Sequence, residues 1–254
     1  MAAIYVTGDK HGRMQSFSDA SDIVCLTELP NKYQETILIV TGDAGLNYYL
    51  DSSDRKRKKY WTDNYPHITL FCIHGNHEAR PQTIPSYKTK RWHNGLVYYE
   101  EEFPNILFAI DGFVYDLNGY KCLVAGGAYS VDKYYRLDHG YAWFPDEQMN
   151  TATKDNIRQC MDIIGWKVDV VFSHTCPLSQ EPEEMYIGSI DQSTVDKSTE
   201  IFLDELYHKL QFRKWYCGHW HCDKKKGKIQ FLYNRVINMD DDLTKDLDYP
   251  WLDC

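Results

Sequence analysis

Apolar positions along the chain gather into short, nearly unbroken runs, each closed by a cluster of Gly, Asp, Asn or His. Residues 4–7 lead into Gly8-Asp9-Lys10-His11-Gly12, and residues 37–41 into Gly42-Asp43-Ala44-Gly45. Residues 68–73 lead into His74-Gly75-Asn76-His77-Glu78, residues 168–172 into Ser173-His174-Thr175, and residues 214–217 into Gly218-His219-Trp220-His221. Continuous apolar runs of this length are what strands covered on both faces require. Between them, residues 13–20, 48–63, 146–164 and 199–210 have a helix-compatible pattern. The first three runs are spaced by roughly one βαβ unit, ~30 residues. The pattern predicts an α/β fold with helices outside the sheet.

Residues 106–110, 113–117 and 121–125 read as antiparallel strands, turning at Asp111-Gly112 and again at Asn118-Gly119. Residues 229–233 and 235–238 read as a further hairpin. Residues 128–143, rich in Tyr, and residues 180–198 are irregular and are expected to be substrate-shaping loops. The acidic end, 240–254, is expected to be a loosely held surface segment. No repeat or low-complexity linker divides the chain, so one domain over 1–254 is expected.

In open α/β sheets the carboxyl ends of the strands lie along one edge, where sites assemble. Five clusters distant in sequence can therefore meet. Their side chains include Asp9, His11, Asp43, Asn76, His174, His219 and His221. Imidazoles, carboxylates and one amide suit Mn, Fe or Zn better than Ca or Mg, which favour all-oxygen shells. Taken singly, each Asp or His is as readily a helix cap or a turn residue. The signal lies in all five clusters following strand-like runs in one chain.

That order, Gly-Asp-x-His-Gly, Gly-Asp, Gly-Asn-His-Glu, His, Gly-His-x-His, resembles the calcineurin-like metallophosphoesterase family from Gly8 to His221. The resemblance implies a four-layer αββα sandwich of mixed sheets, with two transition-metal ions at the strand ends. Manganese is the first expectation, with iron or zinc as alternatives. Asp9, His11 and His221 would hold one ion, Asn76, His174 and His219 the other, and Asp43 would bridge them. His77 would stand outside the metal shell, near the leaving group. The implied activity is hydrolysis of phosphate mono- or diesters by a metal-activated hydroxide. A nuclease or nucleotide phosphodiesterase on the same centre, and a catalytically silent scaffold, are the alternatives.

Protein Ser/Thr phosphatases of this family have an Asp and an Arg shortly after the bridging Asp, and an Arg just before Gly-Asn-His-Glu. Here Leu46, Asn47 and His74 stand there. Both the arginine clamp on phosphate and the carboxylate partner of His77 are missing, which favours diesters. Lys133 and Arg136, just after Gly126-Gly127, are the candidate replacement cations, with Arg80 a weaker one. His74 is a weaker candidate ligand.

The resemblance implies a phosphoester substrate, and charge argues against a polyanionic partner. A formal net charge of -9 opposes binding to long nucleic acid, and the basic runs at 55–59, 88–91 and 224–228 are scattered. The opening Met-Ala-Ala-Ile-Tyr-Val-Thr reads as a first strand and not a leader, and no window approaches the ~18 apolar residues of a membrane span. With eight cysteines lacking any Cys-x-x-Cys pair, reduced thiols and a cytoplasmic location are expected.

Overall fold

The computed structural model describes residues 1–13 and 35–248. All but the first residue of the helix expected at 13–20 lies outside them. Among the described residues, thirteen strands build two mixed sheets. The first contains Ala2–Thr7 (β1), Glu35–Val40 (β2), Ile68–Cys72 (β3), Lys88–Trp92 (β4), Gly95–Glu100 (β5), Phe103–Ala109 (β6) and, from the far end of the chain, Val236–Asn238 (β13). Its order is β13-β1-β2-β3-β6-β5-β4. The second contains Val114–Leu117 (β7), Tyr120–Ala125 (β8), Val170–Ser173 (β9), Lys214–Cys217 (β10), Lys224–Lys226 (β11) and Ile229–Phe231 (β12), ordered β11-β12-β10-β9-β8-β7.

Side-chain alternation divides the apolar residues into three packed layers. Ile4, Val6, Ile37, Ile39 and Phe71 of the first sheet meet Cys122, Val124, Val170, Phe172 and Tyr216 of the second in a central core. The intervening Tyr5, Leu38, Val40 and Leu70 face outward onto Trp61 of helix Ser52–Asn64 (α1). Leu123 and Val171 face outward onto Ile157 and Met161 of Thr151–Ile164 and onto Phe202, Leu203 and Leu206 of Ser198–Lys209. A short helix, Lys133–Asp138 (α2), precedes this last pair (α3 and α4). The result is a four-layer αββα sandwich. Both faces of each sheet are buried, which is why the strands read as unbroken apolar runs.

Caps set the helix starts later than the apolar pattern suggests. The Asp51 side chain accepts from Ser53 N at the start of α1, and Asn150 accepts from Thr153 N at the start of α3. Each cap gives partners to amides that a helix leaves open.

Several expectations change. Residues 106–110 and 113–117 do not pair: β6 lies in the first sheet and β7 in the second. Only β7 and β8 form the expected hairpin, around Asn118-Gly119. Likewise β12 pairs with β10 and β11, whereas β13 crosses to pair antiparallel with β1. In both places the chain changes sheets, because a two-sheet core needs apolar strands on both sides. The basic run 88–91 is the edge strand β4, paired with β5 through a turn at His93-Asn94. The acidic end is not loose as far as residue 248: Met239–Asp248 (α5) is a helix that buries Met239 and Leu243 in the central core. Tyr216 and Lys214 hold its Asp242 carboxylate, each at 2.8 Å. Among the described residues, no helix is long and apolar enough to cross a membrane.

Candidate metal centre

The loops after β1, β2, β3, β9 and β10 carry the candidate ligands. β1, β2 and β3 run parallel, as do β9 and β10, so their carboxyl ends bring these loops together between the two sheets. Backbone bonds tie one loop to the next. His11 N donates to Asp43 O at 2.7 Å, and Gly218 N to His174 O at 2.8 Å. Two glycines are needed for this closeness. Gly42 has φ +98°, and a Cβ there would stand 2.0 Å from His174 Nδ1; a Cβ on Gly218 would stand 2.1 Å from Asp9 Oδ1. His11, Asp43, His219 and His221 have positive φ of 45°, 49°, 66° and 47°. Such backbone costs about 1–3 kcal/mol per residue and gathers where function requires a particular side-chain direction. Four of the seven expected ligands share it.

Three ligand groups converge on the outer side. His11 Nε2 and His221 Nε2 are 3.1 Å apart, and Asp9 Oδ2 is 3.1 Å from His221 Nε2 and 3.9 Å from His11 Nε2. Ligands ~2.1 Å from one ion, at tetrahedral or octahedral angles, are themselves ~3.0–3.4 Å apart. Asp9 Oδ2 is buried and has no hydrogen bond of good geometry, despite the nearness of His221. Asp9, His11 and His221 could together hold a metal ion. Burial acts to raise the Asp9 carboxyl, but His174, His221 and His11 outweigh it and hold it well below the usual range. The nearness of the Asp9 carboxylate raises His221 in turn.

The inner side makes the same case by a different route. His174 Nδ1 donates to the carbonyl of Thr41 at 2.9 Å, which leaves Nε2 of a neutral ring as a lone pair. That lone pair faces Asn76 Oδ1 at 2.8 Å and Asp43 Oδ2 at 3.6 Å. The Asn76 amide is held in this orientation because its Nδ2 donates to Ser130 Oγ at 2.8 Å. Three acceptors therefore point at one another in a fully buried place, an arrangement that fits a cation. His219 joins them, its ring centroid 5.0 Å from that of His174. Burial and then His174 push His219 down to about 3, against the pull of Asp9 and Asp43. It is neutral, as a ligand must be. Asp43 lies between the two sides, with Oδ2 3.6 Å from His174 Nε2 and 3.9 Å from His11 Nδ1.

His77 is at the rim, its ring 5.3 Å from that of His11. Its hydrogen-bond partner is a cation and not a carboxylate: Arg136 Nη2 donates to His77 Nδ1 at 2.7 Å, while Asp132 pairs with Arg136 at 3.5 Å. Arg136 is buried against Tyr48, and its Nη1 has no partner. The other nominated cations lie elsewhere. Lys133 Nζ sits 4.0 Å from the centroid of the Trp143 ring, on a separate cavity. Arg80 is committed to structure, donating to Asp111 and to the carbonyl of Asp146, each at 2.7 Å. His74 is buried outside the cluster, with neither ring nitrogen hydrogen-bonded. Burial, and then Arg80, lower its pKa well below the usual range.

A family model for calcineurin-like phosphoesterases matches residues 2–223. The chain belongs to that family. Among solved structures, a phosphopantetheinyl hydrolase from Mycobacterium tuberculosis is similar at 10% identity and a TM-score of 0.43, over 92% of this chain and 90% of that one. A protein serine/threonine phosphatase from Saccharomyces cerevisiae is similar at 15% identity and a TM-score of 0.31, over 91% of this chain and 67% of that one. A search of the curated proteins found no match.

In this calcineurin-like phosphoesterase, the side chains that orient the ligands escaped the sequence reading. Ser130 Oγ receives the Asn76 amide and passes its own proton to Glu147 Oε2 at 2.5 Å. Glu78 is fully buried behind the third motif and accepts from Gly75 N at 3.1 Å. Burial and then Asp43 push it up to about 8. Ser130 and Glu147 have no motif around them, whereas Glu78 ends the Gly-Asn-His-Glu cluster and was visible there.

Proposed function

We propose that the protein hydrolyses small-molecule phosphoesters at a dinuclear centre, with manganese as the resident metal. Asp9, His11 and His221 form one ligand set, Asn76, His174 and His219 the other, and Asp43 is shared. The observation that carries this reading is the face-to-face arrangement of His174 Nε2 and Asn76 Oδ1, two fixed lone pairs 2.8 Å apart. When bound, the metal pair supplies Lewis-acid activation of water and of the phosphoryl group.

The chain's own residues supply the rest. Arg136 donates into Nδ1 of His77, so a neutral ring carries its proton on Nε2 and offers that proton to the departing oxygen. Arg136 Nη1, buried and without a partner, is a donor left over for a phosphoryl oxygen and replaces the clamp missing at His74. A guanidinium in this role makes monoesters as acceptable as diesters.

Small esters are favoured over long nucleic acid by charge placement. The basic runs at 88–91 and 224–228 lie on β4 and β11, edge strands at opposite ends of the sandwich. They do not form one groove.

The test removes metal, restores Mn(II), and compares p-nitrophenyl phosphate with bis(p-nitrophenyl) phosphate. Metal-dependent turnover of either is expected. Failure to take up two equivalents of metal would overturn the ligand assignment.

A further inference from the structure

A cavity of about 360 Å³ opens from Asp43, Asn76, His77, His219 and His221 and extends away from the cluster between the loops that follow β8 and β9. Its volume is in the range of small-molecule sites. Tyr129, Val131, Ile190, Val195 and Trp220 line it, and Met185 and Ile187 stand at the same wall, the latter 56% exposed. Apolar side chains held open to water beside a polar centre mark a place for an apolar group.

The charges in this arm decide what else it accepts. Lys197 is neutralised by Glu181 at 2.7 Å and is also bonded to the Tyr186 hydroxyl. Asp132 and Glu200 line the cavity as well; Asp132 is paired with Arg136 at 3.5 Å, and burial pushes Glu200 up to about 7, so the arm carries little net charge. Glu200 is 4% exposed, and its Oε2 has no hydrogen bond. Thr175 Oγ1 stands beside it outside good hydrogen-bond geometry and is itself unpartnered. A buried carboxylate oxygen without a donor is costly unless a ligand supplies one.

Building on the phosphoesterase reading, we propose that this cavity holds the organic portion of the substrate, an apolar or aromatic group carrying a hydrogen-bond donor such as an amine or amide N–H. The ester phosphate sits at the cluster, the apolar body lies along Val131, Ile190 and Val195, and Glu200 Oε2 accepts from the donor.

The experiment uses stable phosphonate mimics, titrated calorimetrically into the full chain with and without Mn(II): methylphosphonate, benzylphosphonate and 4-aminobenzylphosphonate. The wild type is expected to bind benzylphosphonate at least about tenfold tighter than methylphosphonate, which is about 1.4 kcal/mol, and the amino compound tighter again. Ile190→Arg and Val195→Arg should bring the benzyl-to-methyl ratio toward one, and Glu200→Gln should remove the additional gain from the amino group. Equal affinity of the wild type for methyl and benzyl compounds overturns the proposal, as does a benzyl preference that survives both arginine variants. Turnover of p-nitrophenyl phosphate, measured in parallel, judges the phosphoesterase reading separately, and the phosphonate ratio judges the cavity whichever way turnover falls.

Discussion

The two halves of the metal centre are built differently. On the inner half, His174 and Asn76 are buried, and each is held by a second partner, Thr41 O for the ring and Ser130 Oγ for the amide. On the outer half, His11 and His221 have side chains 30% and 49% exposed, and their rings are held mainly by the strained loops that carry them. The inner half is preorganised by packing and hydrogen bonds. The outer half is held mainly by backbone, with the His221 ring stacked on Tyr233, and this teaches where metal loss and stability loss should separate.

The largest expected effect falls on the residue the halves share. Asp43→Asn should lower kcat/KM by about a thousandfold, since it weakens the common anchor of a centre that contributes several kcal/mol. Metal analysis should show loss at both positions; loss at one alone would break the bridging assignment.

Next come the halves themselves. His174→Ala should remove one equivalent of metal and also destabilise the metal-free protein by about 2 kcal/mol, because it opens a buried space and strands the Thr41 carbonyl. His221→Ala should remove one equivalent while leaving the unfolding midpoint of the metal-free protein within about 0.5 kcal/mol. Calorimetric unfolding beside metal analysis checks both, and equal destabilisation would erase the contrast between the halves. Ser130→Ala sharpens it further, with a drop of about 10–100-fold in affinity for one ion only, as measured by competition with a chelator.

Arg136 tests the rim. Arg136→Gln and His77→Ala should each reduce kcat by about 100-fold or more, and the double variant should lose less than the product of the two, since they share one hydrogen bond while Nη1 of Arg136 also serves the phosphate. Fully additive losses would mean that the bond between Arg136 and His77 contributes nothing and that Arg136 acts through Nη1 alone.

The smallest effect lies far from the site, where α3 meets α4. The hydrogen bond from Arg158, with help from Lys209, holds the Glu205 carboxyl down to about 2, against burial. A carboxyl with a depressed folded pKa stabilises above its ordinary value of 4.5 and loses that contribution as pH falls from there toward 2. The group is partly exposed and screened by water, so Glu205→Gln should cost less than about 1 kcal/mol at pH 7 and close to nothing near pH 2. Urea unfolding at both pH values checks this.

The sequence alone put the candidate ligands at the ends of the strands that carry them. The apolar runs are continuous because both sheets are covered on both faces, and each motif follows one of those runs directly. Hence Asp9, Asp43 and His221 were visible as site candidates without coordinates. The αββα arrangement followed from the same runs together with the family resemblance. The strands β4 and β5 were not legible, since Lys88, Lys90 and Arg91 on an exposed edge give no apolar signal, while Val97 reaches the core only through its pairing with β6. The sheet changes between β6 and β7 and between β12 and β13 were also hidden, because a short gap between two apolar runs looks the same whether the chain turns back or crosses the core. Tertiary structure alone decided that Arg136, 59 positions from His77, is its hydrogen-bond partner, while Lys133, three residues earlier, faces another cavity. Local sequence encodes which groups can bind a metal or a phosphate. The direction in which a loop side chain points is set by packing against elements distant in the chain, and no local pattern records it.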